Sequence, residues 1–170
     1  MVDVTRTDLT RMSQDQRIWS AATIFARVTL AVGFLSAVAD RFGLWGEAGT
    51  NPVGWGNFET STQYVRTLAP YLPAKLVTAA AWGATVVEIL LGGTLLLGVK
   101  IRWAALGSAA TLVVFTVSMF IFAGFETLLS ASVFTAAATA LLLMLAPPGS
   151  YAVSLDHLHD SRTSERSTEK

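Results

Sequence analysis

Apolar residues fall into four runs, Ile18 to Ala39, Leu76 to Gly98, Trp103 to Phe125 and Leu128 to Ala146, each near the length a helix needs to cross a bilayer. Polar residues collect between and beyond them. The pattern predicts an all-α fold, an integral membrane four-helix bundle with spans at about 18–39, 76–98, 103–125 and 128–146. Residues 1–17 are then a cytoplasmic N-terminal segment, 18–146 the four-span domain, and 147–170 a polar tail expected to be disordered after Pro147-Pro148-Gly149. Residues 99–102 form a tight basic turn, and only Glu126 and Thr127 separate the third and fourth runs, so the helices they join are expected to pack as antiparallel neighbours.

The first connection, Asp40 to Lys75, differs from these. It carries Trp45, Trp55, Phe58, Tyr64 and Tyr71, amphipathic aromatics suited to a membrane interface. Within it Asn57 is placed to cap a short interfacial helix with Phe58, Val65 and Leu68 toward one face, Ala69-Pro70 is placed to stop it, and Gly54-Trp55-Gly56 reads as a turn before it. Such a helix either caps the outer mouth of the bundle or acts as a lid over a ligand entrance. The sequence leaves both open.

Composition supports the bilayer reading: 52% of the 170 residues are hydrophobic and 14% charged, with a mean hydropathy of +0.52. Ala37-Val38-Ala39 before Asp40 has the form of a signal-peptide cleavage site. The first run is longer than a signal core, however, Arg27 interrupts it, and Asp3, Asp8 and Asp15 mix with the arginines ahead of it, which favours a retained span. No cysteine is present, which excludes disulfides, dithiol chemistry and thiolate metal sites. His157 and His159 are read as solvated tail residues, and no metal site is expected. The formal net charge is zero and no basic cluster points to nucleic acid. Arg6, Arg11, Arg17, Lys100, Arg102, Arg162, Arg166 and Lys170 share one side of the predicted bundle, against Arg41, Arg66 and Lys75 on the other. Basic residues are retained in the cytoplasm, so a multi-pass cell-membrane protein with both termini cytoplasmic is expected.

Two charges inside the apolar runs carry the candidate chemistry. Arg27 lies nine residues from Ile18, roughly 13 to 14 Å, and Glu88 ten residues from Gly98, roughly 15 Å, so both are expected at mid-depth and facing each other as a buried ion pair. A group ionised at that depth costs at least about 2.5 to 3.5 kcal/mol, which demands a partner or a purpose. The small residues Ala81, Ala84, Thr85 and Gly92 around Glu88 allow a close helix contact. Hydroxyls recur at helical spacing on the later spans, Ser108 and Thr111 on the third and Ser132, Thr135 and Thr139 on the fourth. The pair is open to two readings, a staple fixing helix register or a ligand or proton site lined by Phe34, Trp82, Thr85, Ser108, Thr111 and Thr135. Met119 and Met144 are isolated and read as packing residues, not metal ligands.

Arg27 within Ala26-Arg27-Val28-Thr29-Leu30-Ala31-Val32-Gly33-Phe34-Leu35, the polar end Asp40-Arg41-Phe42-Gly43, the stretch Glu88-Ile89-Leu90-Leu91-Gly92-Gly93, and Leu97-Gly98 with the basic turn ending at Arg102 resemble the DoxX family of small four-helix membrane proteins. The resemblance implies a link to respiratory or redox systems. On that basis the chain is expected to be an accessory subunit of a quinone-linked membrane redox system, not a stand-alone enzyme, with quinone as a candidate cofactor. Its partners would be the lipid bilayer, a membrane or peripheral redox protein, and a further copy of itself if it oligomerises. In the quinone reading Arg27 donates to a quinone carbonyl, Glu88 relays a proton, and Trp82 or Phe34 packs on the ring. A non-catalytic assembly protein and a small-solute or proton conduit are the alternatives.

Overall fold

A computed structural model describes residues 6–50, 53–147 and 149–151. The fold is all-helical, with no strand among the described residues. Helix α1 runs Arg6–Arg41, α2 Phe58–Leu68, α3 Ala74–Leu97, α4 Ile101–Ser118, α5 Phe125–Ser130 and α6 Val133–Leu145. One π-helical turn, Met119–Ala123, prolongs α4. Three helices are long and apolar enough to cross a membrane, Gln14–Arg41 within α1, α3, and α4 with its π turn, while α6 is a shorter apolar helix. The chain is a multi-pass membrane helical bundle. Most of its predicted polar tail, residues 152–170 with His157 and His159, lies outside the described residues.

The long helices and α6 form a ring in which α1 packs on α3, α3 on α4, α4 on α6 and α6 back on α1. Side chains facing outward, such as Phe25, Val32, Leu90, Leu97, Val114, Ile121 and Leu142, are large and apolar, as a lipid-facing surface requires. The centre is built mainly from small residues. Ala31, Ala105 and Ala140 are fully enclosed together with Leu95, and a methyl group added at Gly92 would stand 2.9 Å from Leu35 Cγ and 3.4 Å from the Ala31 carbonyl oxygen. Only the missing side chain lets α1 and α3 approach so closely.

The local signals set the helix ends. Gly98 takes a left-handed conformation (φ +70°) and closes α3, with the Val99 N–H donating to the Thr94 carbonyl at 3.0 Å. In the first connection the Asn57 side chain accepts from the Thr60 N–H at 2.8 Å, and α2 ends at Leu68 before Ala69 and Pro70. The interfacial helix therefore stands where its capping residues place it.

The last span departs from the expected continuous helix over 128–146. Gly124 (φ +90°) ends the π turn, and Ser132 (φ +54°) separates α5 from α6. At 13 residues, α6 is about 20 Å long, short of the ~30 Å hydrocarbon layer. Hydrophobicity runs on through Leu128 and Leu129, so composition hides the break. Irregular backbone at membrane depth is tolerated where it lines a cavity, and this segment does so.

Candidate functional site

The site is built at the end of α1 remote from the Val99-Lys100 turn, here termed the lid end. Gly43 (φ +73°) terminates α1, with the Leu44 N–H donating to the Ala39 carbonyl at 3.0 Å. The chain then folds back over the helix it has just left. The Asp40 carboxylate accepts three successive backbone N–H groups, from Gly54 (3.1 Å), Trp55 (2.9 Å) and Gly56 (3.2 Å). Side chains at the flanking positions are excluded: a methyl group at Gly54 would stand 2.8 Å from Asp40 Oδ2, and one at Gly56 would stand 2.3 Å from the Ala48 nitrogen. The Gly-Trp-Gly turn is thereby pinned to α1, with Trp55 carried over the next residue of the helix.

That residue is Arg41. Its guanidinium forms a bidentate pair with Glu88, Nη1 to Oε2 at 2.5 Å and Nη2 to Oε1 at 2.8 Å. Nη1 also donates to Thr85 Oγ1 at 3.2 Å, and the Thr85 hydroxyl in turn donates to the Ala81 carbonyl at 2.8 Å. Cζ lies 5.1 Å from the Trp55 ring centroid, within cation–π range. Arg41, Glu88 and Thr85 are all buried. The fork geometry uses both carboxylate oxygens and holds the α1 terminus to the middle of α3.

The expected Arg27–Glu88 pair is thus corrected: Glu88 is paired with Arg41. Arg27 is also buried, but its Nε donates to the Leu95 carbonyl at 3.1 Å. Glu88 and Leu95 are seven residues apart on α3, about 10 Å along its axis. The close fit of Gly92 against Ala31 and Leu35 sets the antiparallel register, and in that register Arg27 lies two turns from Glu88. Depth counted from the ends of apolar runs missed this, because α1 continues past its last apolar residue, Ala39, to Arg41. A basic residue just before Gly43 was the available signal.

Beneath the lid lies a cavity of about 1180 Å³, bounded by α1, α2, α3, α4 and the broken last span. Arg41, Glu88, Trp55 and Tyr64 line its lid side, Phe34, Leu112, Phe115 and Met119 its apolar walls, and Thr127, Ser130, Ser132, Thr135 and Thr139 the wall made by α5 and α6. Burial raises the Tyr64 phenol above its ordinary pKa.

Of the expected lining residues, Phe34 and Thr135 face this cavity. Trp82 faces elsewhere: half-exposed, it packs at a tilt against Phe58 with centroids 4.4 Å apart and meets Phe42 at 6.1 Å, fastening α2 to α3. Thr85 holds Arg41 instead of lining the space. Ser108 is fully enclosed and donates to the Ala104 carbonyl of its own helix at 2.8 Å, and Thr111 is half-buried away from the lining. Arg41, Trp55 and Tyr64 escaped sequence reading as site residues because the first connection gave no sign of folding back onto α1.

Residues 54–127 match the family model described as methylamine utilisation protein MauE. The match covers less than half of the chain, from the Gly-Trp-Gly turn through α2, α3 and α4 to α5. No DoxX model matches, so the DoxX resemblance is corrected. Two of its motifs, Ala26 to Leu35 and Asp40 to Gly43, lie outside the matched stretch. Glycine and alanine beside a single buried charge are what close packing asks of small membrane bundles in general. Neither a curated protein nor a solved structure matches the chain.

Proposed function

We propose that the protein is an accessory component of a membrane redox system, and that its cavity holds a quinone-sized amphiphile whose head group lies against the Arg41–Glu88 pair. The observation that carries the ligand reading is the cavity itself: apolar walls converge on a few buried polar groups, in a volume of about 1180 Å³, somewhat above the roughly 300 to 1,000 Å³ of common ligand pockets. Similarity over residues 54–127 to a family named for methylamine utilisation supports the accessory role. Cytoplasmic placement of the Val99-Lys100 turn, next to Arg102, follows from the retention of basic residues and belongs to the same reading. A conduit is disfavoured, because beyond the cavity the fully enclosed residues Ala31, Leu95, Ala105 and Ala140 fill the centre of the bundle with apolar side chains among the described residues.

Extraction of the purified protein tests the reading. Wild type is expected to carry quinone near one per chain, and Glu88→Gln much less while keeping its fold. Quinone no higher in wild type than in a matched membrane-protein control would overturn the ligand assignment. A second reading, an assembly protein without a ligand, is favoured by the exposed Phe42, Leu44, Trp45 and Tyr71 at the lid end.

A further inference from the structure

The exposed part of the cavity's lining bears on the shape of what it takes. Thr29 and Gly33 of α1 line the cavity and are at the same time exposed, and so are Ser130, Ser132 and Thr135 of the last span. At the opposite end α1 is tied to the chain just beyond α6, where Thr23 Oγ1 donates to the Ser150 carbonyl at 2.8 Å, and Leu30, which also lines the cavity, packs in the same core as Ala137 and Ala140. Toward the lid the two helices leave a slot between them. A methyl group at Gly33 would meet no atom within 4 Å, in contrast to Gly92 on the packed side. The break at Ser132 stands along the slot's far edge.

We infer that this slot is a lateral portal from the bilayer, and that the cavity's ligand is an amphiphile whose compact head lies beneath the lid while its flexible apolar tail leaves between α1 and α6 into lipid. The slot's chemistry fits a hydrocarbon chain. Thr29 Oγ1 donates to the Phe25 carbonyl at 2.9 Å and Thr139 Oγ1 to the Thr135 carbonyl at 2.9 Å, so at these positions the hydroxyl hydrogens are turned back into their own helices. The lid covers the direct route along the bundle axis, since Asp40 pins the loop and Phe58 packs against Trp82. A partner helix would lie across such a slot, but would not occupy the depth from Gly33 to Glu88.

The inference rests on the cavity being a ligand site, and the test separates the two. The variants are Gly33→Phe and Thr135→Phe, one on each rim, with Gly83→Phe as control. Gly83 is exposed, a methyl group there meets nothing within 4 Å, and it lies outside the cavity. Binding of a quinone bearing an alkyl tail and of the same ring without a tail is measured in one detergent, and co-purified lipids and quinones are identified by mass spectrometry. A bulky side chain in the slot competes with the tail, so either rim variant should weaken the tailed quinone about tenfold and leave the tail-less ring and the Gly83→Phe protein within about twofold of wild type. Loss of a co-purified phospholipid from the rim variants, with no quinone bound by wild type, would support the portal and overturn the quinone assignment. Wild-type affinity for the tailed quinone in both rim variants would overturn the portal and leave the cavity reading standing. A wild-type protein that binds neither quinone and carries no lipid would overturn both.

Discussion

The two halves of this bundle are made from the same helices and packed in opposite ways. On the packed side, where α1 meets α3, Ala31 and Leu95 are fully enclosed, as are Ala105 and Ala140 of α4 and α6, and Gly92 has no room for a methyl group. On the open side, at the same depth along α1, Gly33 stands between Ala31 and Leu35 yet faces open space, and a cavity of about 1180 Å³ lies between α1 and the last span. The difference teaches that small residues serve two ends here. Where a neighbouring helix fills the space they leave, they bring backbones together; where none does, they make a void. The packed half supplies the base, and the lid half, clasped by the Arg41–Glu88 pair, the three N–H groups that Asp40 binds and the Phe58–Trp82 contact, supplies the site.

The largest expected effect comes from breaking the lid half's clasp. Glu88→Ala leaves the Arg41 guanidinium buried without its carboxylate, which should cost about 3 to 5 kcal/mol, read as a fall in thermal midpoint in detergent. Replacing both Arg41 and Glu88 by leucine should recover most of that loss. If the single variant is as stable as wild type, the pair does not hold the lid end together.

The packed half is probed by Gly92→Leu, whose side chain would collide with Leu35 and should cost about 1 to 3 kcal/mol. Gly33→Ala, the same kind of change in the open half, should stay within about 0.5 kcal/mol of wild type. Equal losses at the two glycines would erase the contrast between the halves.

Asp40→Ala removes the acceptor of three N–H groups and should cost about 1 to 3 kcal/mol. Its effect should be local: faster amide exchange over residues 53–68, with α3 and α4 unchanged. Uniform acceleration across the chain would show that the lid is not a separate unit.

The smallest effect is a pH dependence. Burial favours the neutral Tyr64 phenol in the fold, so the stability this gives is full below an ordinary pKa of about 10 and is lost as pH rises through the higher folded value. Tyr64→Phe should therefore show a shallower fall in thermal midpoint above about pH 10. An unchanged slope would place Tyr64 outside the closed lid.

Much of the fold was legible along the chain. The apolar runs, the Asn57 cap and Pro70 stop of α2, and the glycine ending α3 rest on local rules that operate within a few residues. The broken last span was less so, because Leu128 to Ala146 is apolar throughout and the bend at Ser132 leaves no trace in hydrophobicity. Glu88 stood out because a lone carboxylate in an apolar run is costly wherever its partner lies.

The sequence by itself determined that this chain enters a membrane as helices, that local signals close α2 and α3, and that Glu88 must be neutralised. Which arginine neutralises it was decided by tertiary structure. The axial register of two antiparallel helices depends on how Gly92 fits against Ala31 and Leu35, a contact between residues some sixty positions apart. The cavity and its side opening were decided the same way: a glycine is tight or open only by what stands opposite it, and that is a property of the packed helices, not of any one of them.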